Sequence, residues 1–160
     1  MEEAKPIGVR LSSIAHATED QNKVLSAIFN VSPTRFSKQF ETARAKGHFG
    51  NEIKIFRLRT RGVSQAASFL NSVLGSLSQG DRLQLRERLD EHLDSSGTLH
   101  MRFDKQEAFG GVLVLGGSDA IKAEVFFESR GTSSDLLREK VANDLKEWLG
   151  RFQERPVVSR

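Results

Sequence analysis

The spacing of apolar and polar residues along the chain predicts a mixture of strands and helices. Alternation with a period of two predicts strands, and a short apolar run between glycines predicts one more. The predicted strands are residues 7–16, 52–61, 99–104, 112–115 and 121–127. Residues 34–46 fit a helix, because Phe36 and Phe40 are four positions apart, as well as an extended strand, and we favour the strand. Apolar residues spaced three or four apart predict helices at residues 63–78, 82–93 and 134–152, and one that follows a Thr18 cap and ends before Pro33.

Three local details follow from the same pattern. The alternation in residues 52–61 shifts by one position, which predicts a bulge near Ile55 and Phe56. Gly80 and Asp81 predict a break between two helices. Two glycine pairs flank residues 112–115 and predict hairpin turns.

The order of elements predicts an α+β fold. We expect a mixed, mainly antiparallel sheet with helices packed on one face, plus a C-terminal helix. A chain of 160 residues forms one domain, with its core in residues 6–130, the last helix at about 134–152 and a frayed tail at 153–160. Such a sheet leaves one face for polar side chains or a partner.

Composition excludes several classes of protein. The chain has no cysteine, which rules out disulfides and thiol catalysis and fits a reducing cytoplasm. No apolar run is long enough to span a membrane. The glycine pairs fit neither a P-loop nor a dinucleotide fingerprint. His16, Glu19, Asp20 and His48 have side chains that bind metals or transfer protons, but the two acids suit a helix N-terminus better. We therefore expect neither a cofactor nor an enzyme.

Positive charge is concentrated in one segment. Residues 35–61 contain eight Lys and Arg residues and two Glu residues, a net charge of +6, whereas the whole chain carries +3. Arg57, Arg59 and Arg61 repeat every second residue, so they lie about 7 Å apart on one side of a strand, where guanidinium groups suit phosphates. A supporting set completes the predicted RNA site: Lys54, Lys46, Arg44 and Lys38. A solvated strand with cross-strand salt bridges is the alternative.

Three stretches resemble a known family. They are residues 16–20 before a helix that contains Lys23 and Val24, the turn at residues 47–51, and residues 102–111. In order and spacing they resemble the archaeal family of predicted RNA-binding exosome subunits, whose fold is similar to that of the ribosomal protein that holds 5S rRNA. The resemblance implies an α+β RNA-binding domain, working with RNA-processing or ribosomal machinery in an archaeal cytoplasm, and it supplies no catalytic residues.

The predicted function is noncatalytic binding of structured or single-stranded RNA on a basic sheet face. The expected partners are RNA and subunits of the exosome or ribosome-associated machinery. The alternative is a protein-interaction subunit that docks through its C-terminal helix, using the apolar positions Leu137, Val141, Leu145 and Trp148. A further interpretation gives His16, His48 and residues 102–105 a structural role, as a hydrogen-bonded cluster that fixes the strand ends. An RNA-modifying enzyme built on His16 and His48 is the weakest hypothesis.

Overall fold

Five strands and six helices lie in the part of the chain that the computed structural model describes, residues 3–32 and 39–153. In chain order the elements are β1 (Pro6–Ala15), α1 (Gln21–Val31), β2 (Gln39–Lys46), β3 (Glu52–Arg61), α2 (Val63–Ser76), α3 (Gln79–Glu87), α4 (Leu89–His92), β4 (Leu99–Asp104), α5 (Lys105–Phe109), β5 (Ala120–Phe127) and α6 (Ser134–Gln153). None of the described helices is long and apolar enough to cross a membrane.

The five strands form one open sheet in the order β2-β3-β1-β5-β4, and every neighbouring pair is antiparallel. Apolar side chains on one face of the sheet are buried beneath the helices, for example Leu11 on β1, Leu58 on β3 and Met101 on β4. The alternate residues of the same strands point to the other face, because successive side chains in a strand alternate. This arrangement confirms the predicted α+β class, including the C-terminal helix.

The bulge predicted in β3 is wrong. β3 pairs in unbroken register with β1 on one side and β2 on the other. Phe56 and Leu58 are buried under the helices, whereas Ile53 and Ile55 are half-buried on the opposite face with the arginines. A bulge would interrupt hydrogen bonding with two neighbours at once, so a central strand keeps its register and leaves isoleucine partly exposed instead.

Helix boundaries differ from the prediction in three places. Asp20, not Thr18, caps α1, because its carboxylate accepts a hydrogen bond from the Asn22 amide at 2.9 Å. Ser78 caps α3 in the same way through the Asp81 amide, at 3.1 Å. Gly80 and Asp81 therefore belong to the first turn of α3 and do not break the chain. The helix predicted at residues 82–93 is divided into α3 and α4 at Arg88.

Residues 112–115 do not form a strand. Their contact with the sheet is an isolated bridge between Phe103 and Leu115, supported by a hydrogen bond of 2.8 Å from the Asp104 amide to the Val114 carbonyl. The preceding residues form the short helix α5, which the pattern did not predict and which Asp104 caps through the Glu107 amide. Gly111 and Gly116 have positive φ, so the backbone turns at both ends before a ladder can extend.

The C-terminal helix is confirmed, but its apolar stripe is not free to dock on a partner. Leu137, Val141 and Leu145 are each at most 3% exposed and belong to the hydrophobic core. Trp148 packs partly buried against the same core. The surface required by the docking alternative is thus covered by the protein's own chain.

Candidate nucleic-acid interface

The face of the sheet opposite the helices carries a field of positive side chains, here called the open face. Arg57, Arg59 and Arg61 share it, as the period of a strand requires, and the register adds cations from β1, β4 and β5. The open-face cations of the described strands are Arg10, Arg57, Arg59, Arg61, Arg102 and Lys122. Adjacent strands lie about 4.8 Å apart, so the cations form a two-dimensional array.

The array is arranged in rows across the strands. In one row Arg102 lies opposite Lys122, Lys122 opposite Ser12, and Ser12 opposite Arg57. In the next row Glu124 on β5 lies opposite Arg10, which lies opposite Arg59. Lys122 and Arg102 are therefore neighbours of like charge at the surface, a costly arrangement on a sheet unless an anion binds there.

One open-face cation is neutralised within the chain. The Arg10 guanidinium donates to the Glu124 carboxylate, with Nε at 2.7 Å from Oε2 and a second bond from the terminal nitrogen. The same guanidinium lies over the Phe126 ring, 5.6 Å from its centroid. Arg10 therefore acts first as an internal partner of β5.

The three arginines of β3 have no such partner in the described part of the chain. No carboxylate of residues 3–32 or 39–153 forms an ion pair with Arg57, Arg59 or Arg61, although Glu41 lies opposite Arg57 in the register. Arg59 Nε is buried and lacks a hydrogen-bond acceptor there. A desolvated donor of this kind costs free energy as long as it lacks an acceptor.

The supporting residues predicted with these arginines do not join the same track. Arg44, Lys46 and Lys54 lie on the other face of the β2–β3 hairpin, because they alternate with the residues that face the arginines. Lys54 Nζ donates to Gln21 on α1 at 3.0 Å, and Arg44 lies 3.5 Å from the Glu52 carboxylate. Lys38 lies outside the described residues. A single continuous basic track is therefore not formed.

A groove opens beside Arg57 at the end of the open face. Its volume is about 520 Å³, and its lining combines two isoleucines, three cations and several hydroxyl groups. The lining residues are Ile14, Ile55, Arg57, Arg102, Lys122, Ser12, Ser13, Ser118, His16, Ala120 and one acid, Asp119, which also forms an ion pair with Lys105. Apolar surface ringed by cations suits a ligand that carries both flat rings and phosphates.

A buried lysine organises the wall next to the groove. Lys105 is 5% exposed, and its Nζ lies 2.9 and 3.0 Å from the two Glu19 oxygens and 2.8 Å from Asp119. It also donates to the Ile14 carbonyl at 2.8 Å. His16 lies 3.5 Å from Asp119. The ammonium thus ties the end of β1 to α5 and the loop before β5.

This cluster partly matches the predicted structural role of the motif residues. His16 and Lys105 belong to it, but His48 lies in the exposed turn after β2 and Arg102 lies on the open face. His16, Glu19 and Asp119 have ligand atoms within 4.8 Å of one another, as a metal site requires. The Lys105 ammonium already supplies positive charge to both carboxylates, so a divalent ion would have to compete with it.

Asp94 forms a second polar cluster, at the start of β4. Burial raises the pKa of its carboxyl, but hydrogen bonds from Ser96, His100 and Thr98 outweigh that effect and lower the pKa to about 2. His100 Nε2 lies 2.7 Å from the Asp94 carboxylate. The cluster secures the loop before β4, the outer strand of the sheet.

Sequence reasoning missed half of the open-face cations. Arg10, Arg102 and Lys122 come from three strands that are far apart in sequence. Each alternates along its strand with buried apolar residues, and this sequence pattern could have placed it on the open face.

Two comparisons with known proteins both concern RNA binding. A family model described as RNA binding matches residues 8–127, a span that contains all six open-face cations. An RNA-binding protein of Pyrococcus abyssi is 34% identical over 145 residues, which cover 88% of this chain and 92% of that protein.

Solved structures share the fold. A crystal structure from Archaeglobus fulgidus, assigned to the family DUF54, has a TM-score of 0.77 and 29% identity, and covers 88% of this chain and 99% of its own. A DUF54 protein of Methanothermobacter thermautotrophicus has a TM-score of 0.68 and 26% identity, with coverages of 88% and 98%. These relatives come from archaea, as the resemblance implied.

Proposed function

Because the chain belongs to the family described as RNA binding, we propose that it binds RNA, without catalysis, on the open face of its sheet. The observation that carries this proposal is the array itself. Of six cations on the face, five have no ion pair with a described residue: Arg57, Arg59, Arg61, Arg102 and Lys122. Binding of phosphates lowers the free energy of a surface that holds these charges close together.

The chemistry of the face suits a flexible RNA strand. Guanidinium groups fork onto phosphate oxygens and stack on bases. Ile14 and Ile55 in the groove offer apolar surface to a base or ribose, and the Ser12 hydroxyl offers a hydrogen bond beside Arg57. Proteins that recognise RNA usually bind unpaired segments, where the bases are free to reach such surfaces.

Arg44, Lys46, Lys54 and Lys38 have a secondary part in this proposal. Three of them lie on the reverse side of the β2–β3 hairpin, at the edge of the sheet. An RNA that passes over this edge would meet them after the open face, so their removal should weaken binding less than removal of Arg57 or Arg59.

Charge reversal tests the proposal directly. The double variant Arg57→Glu/Arg59→Glu should lose binding to a fluorescent 12-nucleotide RNA, followed by anisotropy at 50 mM salt. Arg88→Glu/Lys146→Glu is the matched control, because it makes the same change in net charge at exposed positions of the helical layer. Equal losses in both variants would mean that total charge, not the open face, governs binding. Tm should be nearly unchanged in both.

We extend the proposal to RNA processing or ribosome-associated work, following the resemblance of the motif residues. Crosslinking the protein to cellular RNA and sequencing the attached fragments tests this extension. Enrichment of ribosomal RNA or of processing intermediates supports it, and a uniform sampling of transcripts contradicts it while leaving RNA binding intact.

A further inference from the structure

The tip of the β2–β3 hairpin presents an aromatic ring to solvent. Phe49 is 89% exposed, more than any other large apolar residue in the described part of the chain. Its nearest aromatic neighbour is His48, edge-on with ring centroids 5.2 Å apart. A phenylalanine this exposed gains almost none of the hydrophobic free energy that burial supplies, so a ligand that covers the ring can still supply it.

The turn holds this ring in place. The Gly47 amide donates to the Asn51 carbonyl at 2.6 Å, and the Gly50 amide donates to the Gly47 carbonyl at 2.9 Å. Gly50 has φ of 80°, a conformation that favours glycine. The closed turn therefore fixes Phe49 beyond the end of the sheet.

The charged side chains around the tip favour a negatively charged ligand. In the strand residues next to the tip, 44–46 and 52–54, the charged side chains are the cations Arg44, Lys46 and Lys54 and the acid Glu52. The Arg44–Glu52 pair is 3.5 Å long, with side chains 73% and 61% exposed, so water screens it strongly. The surroundings remain positive, which favours a polyanion and opposes a second copy of the same hairpin.

We propose that Phe49 stacks on an unpaired nucleobase of the RNA that the open face holds. This inference rests on the proposed function. β3 begins at Glu52, five residues before Arg57 and about 17 Å from it along the strand, and Phe49 lies in the turn just beyond that end, so one RNA strand can reach both. Every base has a flat face, so stacking requires an unpaired base but no particular sequence. In a duplex the bases are already stacked, and the ring has no access to them.

The test measures how tightly variants at exposed apolar positions bind single-stranded RNA and duplex RNA. Phe49→Ala should weaken binding of a 12-nucleotide single strand by about 5- to 150-fold and leave binding of a 12-base-pair duplex unchanged. Phe49→Trp should retain binding of the single strand. Leu136→Ala is the matched control, since Leu136 is 60% exposed on α6, and it should have no effect. The fully exposed position predicts an unchanged Tm for Phe49→Ala.

The possible outcomes separate this inference from the proposed function. If Phe49→Ala retains single-strand affinity within twofold while Arg57→Glu/Arg59→Glu loses it, the stacking role is wrong and the open face stands. Equal weakening of single strand and duplex also overturns stacking. A dimer in sedimentation that Phe49→Ala dissociates, with RNA affinity unchanged, assigns the ring to a second copy. If the wild-type protein binds neither RNA, both proposals are wrong.

Discussion

The salt dependence of RNA binding gives the most quantitative test of the open face. Truncation of two arginines, Arg57→Ala/Arg59→Ala, removes two cations that form no ion pair with a described residue. The change adds no negative charge, so it isolates the loss of phosphate contacts from any new repulsion. Both side chains project away from the helices and the core, and the fold should tolerate their loss.

The number of cations on the open face determines the expected salt dependence of RNA affinity. Each phosphate neutralised on a single strand contributes about 0.7 to the slope of log affinity against log salt. The five open-face cations that form no ion pair with a described residue then predict a slope of about −3.5 for the wild type and about −2.1 for the double variant. Between 50 and 200 mM salt the wild-type affinity should fall by about 100-fold and that of the variant by about 20-fold. If the two proteins bind equally at 1 M salt, the variant should bind about 25-fold more weakly than the wild type at 100 mM.

Anisotropy of a labelled 12-nucleotide RNA, titrated at four salt concentrations, measures both slopes. Arg88→Ala/Lys146→Ala is the control with the same loss of charge from the helical layer, and it should keep the wild-type slope. A variant slope equal to that of the wild type would refute the reasoning, because it would show that Arg57 and Arg59 contact no phosphate. A wild-type slope near zero would refute electrostatic binding altogether.

Three further predictions concern stability. Lys105→Met leaves Glu19 and Asp119 without their shared cation and should lower the free energy of unfolding by about 2–3 kcal/mol. The loss is smaller than for a fully buried pair, because both carboxylates are partly exposed. Thermal unfolding should show Tm lowered by about 5–10 °C, and an unchanged Tm would contradict this role. The Asp94 pKa of about 2 lies below its ordinary value of 3.8, so its stabilising contribution is complete above that value and is lost as pH falls toward 2. Asp94→Asn should therefore lose less stability than the wild type between pH 4 and 2 in urea titrations, and identical losses would contradict the assignment. Leu145→Ala should cost about 2–5 kcal/mol in the same titrations, since the side chain is 1% exposed; a cost under 1 kcal/mol would mean that α6 is not part of the core.

Local patterns predicted most of the elements correctly. The strands at residues 52–61, 99–104 and 121–127 and the C-terminal helix were confirmed, because period-two alternation and a helical apolar stripe arise from burial of one face. The errors lie where that signal is short. Helix α5 has five residues between a strand and a glycine pair, and residues 112–115 are too few to distinguish a strand from an extended loop.

The sequence by itself determined that Arg57, Arg59 and Arg61 share one side of a strand, since alternation is a property of the extended backbone. Only the tertiary structure decided which cations join them. The antiparallel register aligns Lys122 with Ser12 and Ser12 with Arg57, and it turns Arg44 and Lys46 to the reverse face. Pairing between strands distant in sequence depends on how the whole apolar face packs, and no local window contains that information.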